Sequence, residues 1–341
     1  MKYLNIEQDY FNIKLNNPLE NSKIKYIERK GFLIFLYLDN HCGTGEVSPL
    51  PGFSKESLDE SLWAVEQLKN ALKKGSNYKP EDLFELFELF AADTPCLHFA
   101  LDIALYDILG TINKMSISKY INKHSLSQIH FSTMNTNTKK ENNIVKVKFG
   151  VNDINLDLQN FKHIHNTLPN NTCYRIDANN SYSVKDAIYV LNQLCDYNIE
   201  YIEEPLSDMS VGNLKTIKNN LNINIALDES IIADNYKQLI SSGLISYVVL
   251  KASLFGGIEK IKKFSKYLAI QNINLVLSSA LDSPIGNMSN IHVASFLKLN
   301  NKHGLNNYMF YDYAKNSVPY KDGSSFVDLS SVIGLGATFD N

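Results

Sequence analysis

Arginine is nearly missing from this 341-residue chain: Arg29 and Arg175 stand alone against a lysine-rich and asparagine-rich background. The lysines are scattered among acids and the formal charge is −3, so the basic stripe of a nucleic-acid binder is absent. Cysteine is sparse too. Cys42, Cys96, Cys173 and Cys195 show no CxxC spacing, which excludes a disulfide framework and predicts buried free thiols in a reducing compartment. The eight histidines show no HxxxH ligand spacing, and His163 and His165 flank an apolar position, so they read as surface or core residues. No run of about 18 uncharged apolar residues occurs, and the opening residues carry Glu7 and Asp9 where a leader peptide would be apolar. The expectation is a soluble, cytoplasmic protein whose partners are small molecules, with neither nucleic acid nor membrane among them.

What is present is apolar substance, 44% of the residues, and a length that suits one barrel of about 250 residues with a smaller accessory domain. Residues 1 to about 95 mix alternating runs, such as 31–39, with an amphipathic helix. That helix begins after Ser54, carries Leu58, Leu62, Val65, Leu68 and Leu72, and closes at Gly75. Strands followed by helices predict a small α+β domain. A second helix is predicted over 97–109, between Pro95 and Gly110.

Beyond it, short apolar strands at 144–149, 174–178, 200–203, 223–228, 247–251 and 274–279 alternate with helical stretches. From Lys148 to Asp177 is 29 residues, then 26 to Glu203, 25 to Asp228, 23 to Lys251 and 27 to Ser278. Each step is about one βα unit, which predicts successive staves of a barrel over 96–315. Every residue in that series ends its strand, where barrels of this kind carry their chemistry. The tail, about 316–341, lacks a strong period and is expected to pack back on the first domain.

In the run Ile144-Val145-Lys146-Val147-Lys148-Phe149 the two-residue period sends both lysines to one face. Free lysine titrates near 10.4, and a like charge alongside lowers that value toward a usable base. A half-exposed strand with solvated lysines explains the same pattern. Asp177 in RIDAN, Glu203 in YIEEP and Asp228 in ALDES then place carboxylates at three consecutive strand ends. Any one of them reads equally as a solvated or helix-capping residue. Side by side they repel unless a cation lies between them, and hard oxygen donors favour Mg²⁺, with Mn²⁺ as a possible substitute. Lys251 ends an otherwise apolar strand and faces the lysine pair across the barrel. Gly256-Gly257 behind it allows close backbone approach or forms a plain loop. By strand alternation Glu204 and Glu229 point away from the mouth, which suits structural roles, while Asn179 keeps the parity of Asp177 and can reach the site.

The KxK of Lys146 and Lys148, the DAN, EEP and DES segments and the later lysine resemble the enolase superfamily, muconate-lactonizing subgroup, over nearly the whole chain. The fold so implied is an N-terminal α+β capping domain followed by a modified (β/α)7β TIM barrel. Within the subgroup, the segment from Gly43 to Ser54, LKASLFGGIEK and LSSALDSPIGN are similar to the o-succinylbenzoate synthases of menaquinone biosynthesis.

The resemblance implies Asp177, Glu203 and Asp228 as Mg²⁺ ligands and Lys148 as acid/base. Lys146 would support it, and Lys251 would stabilise the enediolate from the opposite face. Ser278 and Ser279 would hold a succinyl side chain and Phe53 would cap the pocket; Asp282, Arg175 and Asn179 complete the candidate substrate contacts. Asp282 stands where relatives often carry Glu, and Ala252 follows the later lysine where Pro is frequent. The implied activity is dehydration of a carboxylate substrate, making the enzyme a carbon–oxygen lyase. Racemases, epimerases and cycloisomerases of the subgroup are the alternative, because lysines on opposite faces suit racemisation equally. A metal-free aldolase with a lysine Schiff base is the distant one.

Overall fold

The computed structural model describes residues 4–20, 24–72, 77–133, 144–233, 235–306, 317–320 and 324–339. The first domain opens with an antiparallel meander, β1 (Leu4–Glu20), β2 (Lys25–Leu38) and β3 (His41–Val47). Alternation along β2 sends Phe32, Ile34, Leu36 and Leu38 into one core. Against that face lie α1 (Leu58–Ala71), α2 (Pro80–Phe90) and α3 (Pro95–Ile112). Helix α1 starts at Ser57, whose hydroxyl accepts from the Glu60 amide while the Glu60 carboxylate accepts from the Ser57 amide. This reciprocal cap is worth about 1 kcal/mol. Gly75, expected to close the helix, lies outside the described residues.

Helix α3 is apolar on nearly every side. Leu97, Ala100, Leu101, Ala104 and Ile108 belong to the core beneath the meander, whereas Phe99 and Ile103 belong to the barrel's core. By length and composition it could cross a membrane, but here its apolar surface serves two cores at once. Strand β3 lies directly on it because Gly43 and Gly45 carry no side chain. A Cβ at these positions would stand 1.9 Å from the Ala104 carbonyl oxygen and 2.0 Å from that of Ala100.

After α4 (Ile117–Ile121) and β4 (Gln128–His130), the chain builds parallel strands β5 (Ile144–Lys148), β6 (Cys173–Asp177), β7 (Ile199–Glu203), β8 (Ile225–Leu227), β9 (Tyr247–Leu250) and β10 (Asn274–Leu277). They are hydrogen-bonded in sequence order. Between and after them run α5 (Ile154–Thr167), α6 (Val184–Leu194), α7 (Val211–Asn220), α8 (Tyr236–Ser241), α9 (Ile258–Ile270) and α10 (Pro284–Phe296).

Two short staves close the ring. The Gly304 amide donates to the Leu277 carbonyl of β10 and its carbonyl accepts from the Ser279 amide, His303 pairs with Phe131 and its neighbours, and Thr133 pairs with β5. The sheet is thus a closed barrel whose connection 134–143 lies outside the described residues. Strand parity sorts its side chains. Ile202, Leu227, Leu250 and Leu277 face the helices, while Tyr201, Ala226, Val249 and Val276 fill the interior. In the tail, β11 (Phe326–Asp328) pairs antiparallel with β4, the Leu335 amide donates to Asp107 at 2.7 Å, and the Phe339 ring stands edge-on to Phe11 of β1.

The four thiols are all free, but the expectation of burial fails for most of them. Cys96 is buried under α1, whereas Cys42 and Cys195 are exposed and Cys173 is half-buried.

Candidate active site

Two residues beyond each interior side chain, on the same strand face, the parity that buries Tyr201, Ala226, Val249 and Val276 presents Glu203, Asp228, Lys251 and Ser278 at the mouth. Backbone register sets Lys148 opposite Asp177 and Asp177 opposite Glu203. Counting around the ring, β5 and β9 lie four staves apart, so Lys148 and Lys251 come from opposite walls. The chain turns away sharply after the carboxylates, with Asn179, Asn180 and Glu204 in the left-handed region. Pro205 follows Glu204 and disfavours a right-handed helical conformation there.

Asp177, Glu203 and Asp228 are 4%, 0% and 5% exposed, so three anions share a water-poor space and need compensation. Lys146 reaches up between two of them, its ammonium 2.8 Å from Asp177 and 2.9 Å from both oxygens of Glu203. Lys251 donates to both oxygens of Asp228 and lies 4.1 Å from the centre of the Phe53 ring. Asn179 donates to Asp177 at 2.8 Å.

These environments split the lysine pair. Burial pushes Lys146 down, but Asp177 and Glu203 outweigh it and hold its pKa well above the usual value. Burial, with Lys146 and Lys251 adding to it, leaves Lys148 below the usual value in spite of Asp177. Among the acids, burial raises Asp177 but Lys146 prevails and lowers it, while burial and the neighbouring Asp177 push Glu203 well up.

The donor set can hold a hard divalent cation: three carboxylates from adjacent staves, without thiolate or imidazole. Among the described residues no three such side chains form a preformed cage, because Asp177 and Glu203 are drawn onto Lys146 and Asp228 onto Lys251. A cation is therefore already at the pole, in the form of the Lys146 ammonium, and a metal ion would take over that compensation.

A cavity of about 130 Å³ opens above these groups. Lys146, Lys148, Asp177, Asp228 and Lys251 line it, and so do Asn179, Ser278, Ser279 and Phe53. Leu50 beside Phe53 completes the cap expected from the first domain, and Leu19, Tyr26 and, opposite, Leu281, which the motifs did not point to, extend it into an apolar roof.

Two candidate substrate contacts do not reach it. Arg175 lies one layer lower, over the Tyr201 ring, where it donates to Glu200 at 2.6 Å and to the Lys302 carbonyl at 2.8 Å. Asp282 is fully buried and accepts from Ser253, Ser279, the Ala280 amide and Asn290. Glu229 corrects the reading in the other direction. The chain leaves the strand at Asp228 and enters a 3-10 turn over Glu229–Ile232, so alternation no longer applies and Glu229 lines the cavity. Burial and Asp228 push its carboxyl up to about 8. Glu204 does turn away from the cavity and accepts from the Asp228 and Ser230 amides at 2.7 and 2.8 Å, bracing the strand ends.

The enolase C-terminal domain-like family matches residues 135–341, more than half of the chain, and the MenC N-terminal domain family matches residues 10–108. This chain belongs to the enolase superfamily. It is similar to the hydrophobic dipeptide epimerase of Enterococcus faecalis, 24% identical over 269 residues that span 75% of this chain and 76% of that one. It is likewise similar to the o-succinylbenzoate synthase of Listeria innocua, 26% identical over 268 residues that span 74% and 70%. Among solved structures, the dipeptide epimerase from Enterococcus faecalis complexed with Mg and the dipeptide L-Leu-L-Tyr has the same fold, with a TM-score of 0.86 at 21% identity over 98% of this chain and 99% of that one.

Proposed function

We propose that this enzyme is a Mg²⁺-dependent o-succinylbenzoate synthase. It would dehydrate 2-succinyl-6-hydroxy-2,4-cyclohexadiene-1-carboxylate with Lys148 as the acid/base. Asp177, Glu203 and Asp228 would hold the ion, which supplies positive charge to the substrate carboxylate and acidifies the adjacent C–H. Lys148, whose pKa is lowered, takes that proton onto Nζ. The electron pair left on carbon moves toward the carboxylate, where Lys251 on the opposite wall stabilises the negative charge. The protonated Lys148 then returns its proton to the departing β-hydroxyl, water leaves and the ring becomes aromatic. Lys146 remains charged and keeps the field at Lys148 unfavourable for a second ammonium.

The observation that carries dehydration over epimerisation is the position of Asp282. A carboxylate at this point of the chain could clamp a dipeptide's ammonium group, but Asp282 is consumed by internal hydrogen bonds behind the wall. The apolar roof and the small Ser278 and Ser279 suit a ring and a flexible tail, and the match of the first domain to the MenC N-terminal family supports the same choice.

A second reading, an N-succinylamino acid racemase or dipeptide epimerase, draws on Glu229, a cavity carboxylate able to receive an ammonium group. Comparing kcat/KM for dehydration with that for epimerising N-succinylamino acids and dipeptides separates the two. Dehydration is expected to dominate; its absence beside efficient epimerisation would overturn the synthase reading.

A further inference from the structure

The roof of the cavity and one of its walls are joined by a buried anion and a buried cation, neither of which touches the reacting groups. Glu46, near the end of β3 and 4% exposed, accepts from the Ser48 hydroxyl at 2.6 Å. It also accepts from the Ser283 amide at 3.1 Å, the Ser283 hydroxyl and the Gly286 amide at 2.9 Å. Ser283 and Gly286 begin α10, where unpaired amides and the helix dipole favour an anion. A Cβ at Gly286 would stand 2.7 Å from the Glu46 carboxylate and 2.9 Å from Asp282 Cβ, so a larger residue there would displace the anion.

Arg29, on β2 and 2% exposed, mirrors this arrangement. It donates to the carbonyls of Pro49 at 2.6 Å, of Ser48, and of Ala280 at 3.1 Å. The segment so held, 48–53, carries Leu50 and Phe53 of the roof; the segment opposite, 278–283, carries Ser278 and Ser279 of the wall.

We infer that Arg29 and Glu46 are positioning residues that set the gap between roof and wall, and thereby the fit of the part of the substrate remote from its reacting carboxylate. Glu46 fixes Ser48 to the start of α10, and Arg29 fixes Ser48 and Pro49 to Ala280. Loss of either bond set lets the two segments separate while the staves that hold Lys148 and the carboxylates stay where the barrel puts them. The remote part of the substrate is the succinyl tail, and only that identity rests on the synthase reading.

The test compares Glu46→Gln and Arg29→Lys with the parent enzyme, each as the full chain with Mg²⁺. Backbone hydrogen exchange is followed by mass spectrometry, and kcat and KM are measured for whichever reaction the parent performs, dehydration or epimerisation. Exchange is expected to quicken in both 48–54 and 278–286 and to stay unchanged in 199–203, with KM raised about 10-fold or more and kcat within about 3-fold. Should Glu46→Gln fail to fold, Ser283→Ala, which removes one hydroxyl partner, is read in the same way. Parent-like exchange in both segments, or a fall in kcat in proportion to the folded fraction with KM unchanged, would overturn the inference. A parent enzyme inactive on all substrates would refute the functional reading alone, since the exchange measurement still decides the positioning role.

Discussion

Two sets of buried carboxylates in this molecule differ in their partners. Within the first domain and along its seam with the barrel, they accept from backbone amides: Glu46 from Ser283 and Gly286, Asp102 from Ile258 at 2.7 Å, Asp107 from Thr44 and Leu335, and Glu56 from Cys96 at 2.6 Å. At the barrel mouth, Asp177, Glu203 and Asp228 are compensated by the ammonium groups of Lys146 and Lys251. An amide is fixed in place and neutral, so it holds an anion permanently. An ammonium sits on a flexible stem and carries a full charge, so a metal ion can displace it and substrate can call on it. The same residue type is therefore locked in place in one set and held by exchangeable partners in the other.

The largest effect expected at the mouth comes from Lys148. Lys148→Ala should slow exchange of the substrate α-proton with deuterated solvent by about 10³-fold, read by proton NMR. Exchange at the parent rate would assign the base elsewhere.

Glu203→Gln tests whether a mouth carboxylate can be lost without structural harm. Activity should fall about 10²-fold or more, in line with the loss of one charge-stabilising contact, while the melting temperature without metal should hold or rise, because three buried carboxylates share the ammonium groups of Lys146 and Lys251 and the substitution removes the excess negative charge. A chelator should silence the parent enzyme, and added Mg²⁺ or Mn²⁺ should restore it. A parent indifferent to chelator would remove the metal from the mechanism, and a variant that unfolds would place Glu203 with the seam.

The smallest effect belongs to the seam. Burial pushes Asp102 up from 3.8 to about 8, against the pull of the Ile258 amide, and its second oxygen lies 3.9 Å from the His98 ring, whose own pKa burial lowers. The folded state thus holds a proton that the unfolded chain releases near pH 4. The associated stability is complete below that value and is lost as pH rises through about 8. Asp102→Asn keeps an acceptor for Ile258 but cannot ionise. Its decline in melting temperature between pH 6 and 9 should be smaller than the parent's by about 3 °C. Identical declines would show that Asp102 is not the group responsible.

Much of the barrel was legible because its units repeat at a nearly constant interval and the residues ending each strand break an apolar pattern. All six predicted strands are present within a residue or two of their expected bounds. The first and last staves escaped notice because Phe131–Thr133 and His303–Gly304 are too short to show a period. Helix α2 was hidden by its alternating acids and aromatics. Glu46 sits in a glycine-rich strand that reads as a loop, and its partner Ser283 lies 237 residues away. Arg175 and Asp282 carry the right chemistry for a substrate contact, but their partners Glu200 and Asn290 appear only once the chain has folded. Glu229 was misread because a strand's parity says nothing about a residue that has already left the strand.

Helix α3 has a consequence for how such a chain can be recombined. Its Ala100 and Ala104 seat the meander through Gly43 and Gly45, while Phe99 and Ile103 are bricks of the barrel. A graft that joins the first domain of one relative to the barrel of another must divide an interface on one side of this helix, wherever the splice is made. The two domains should therefore melt as one cooperative unit, in a single calorimetric transition, and α3 is an heirloom that neither can inherit alone.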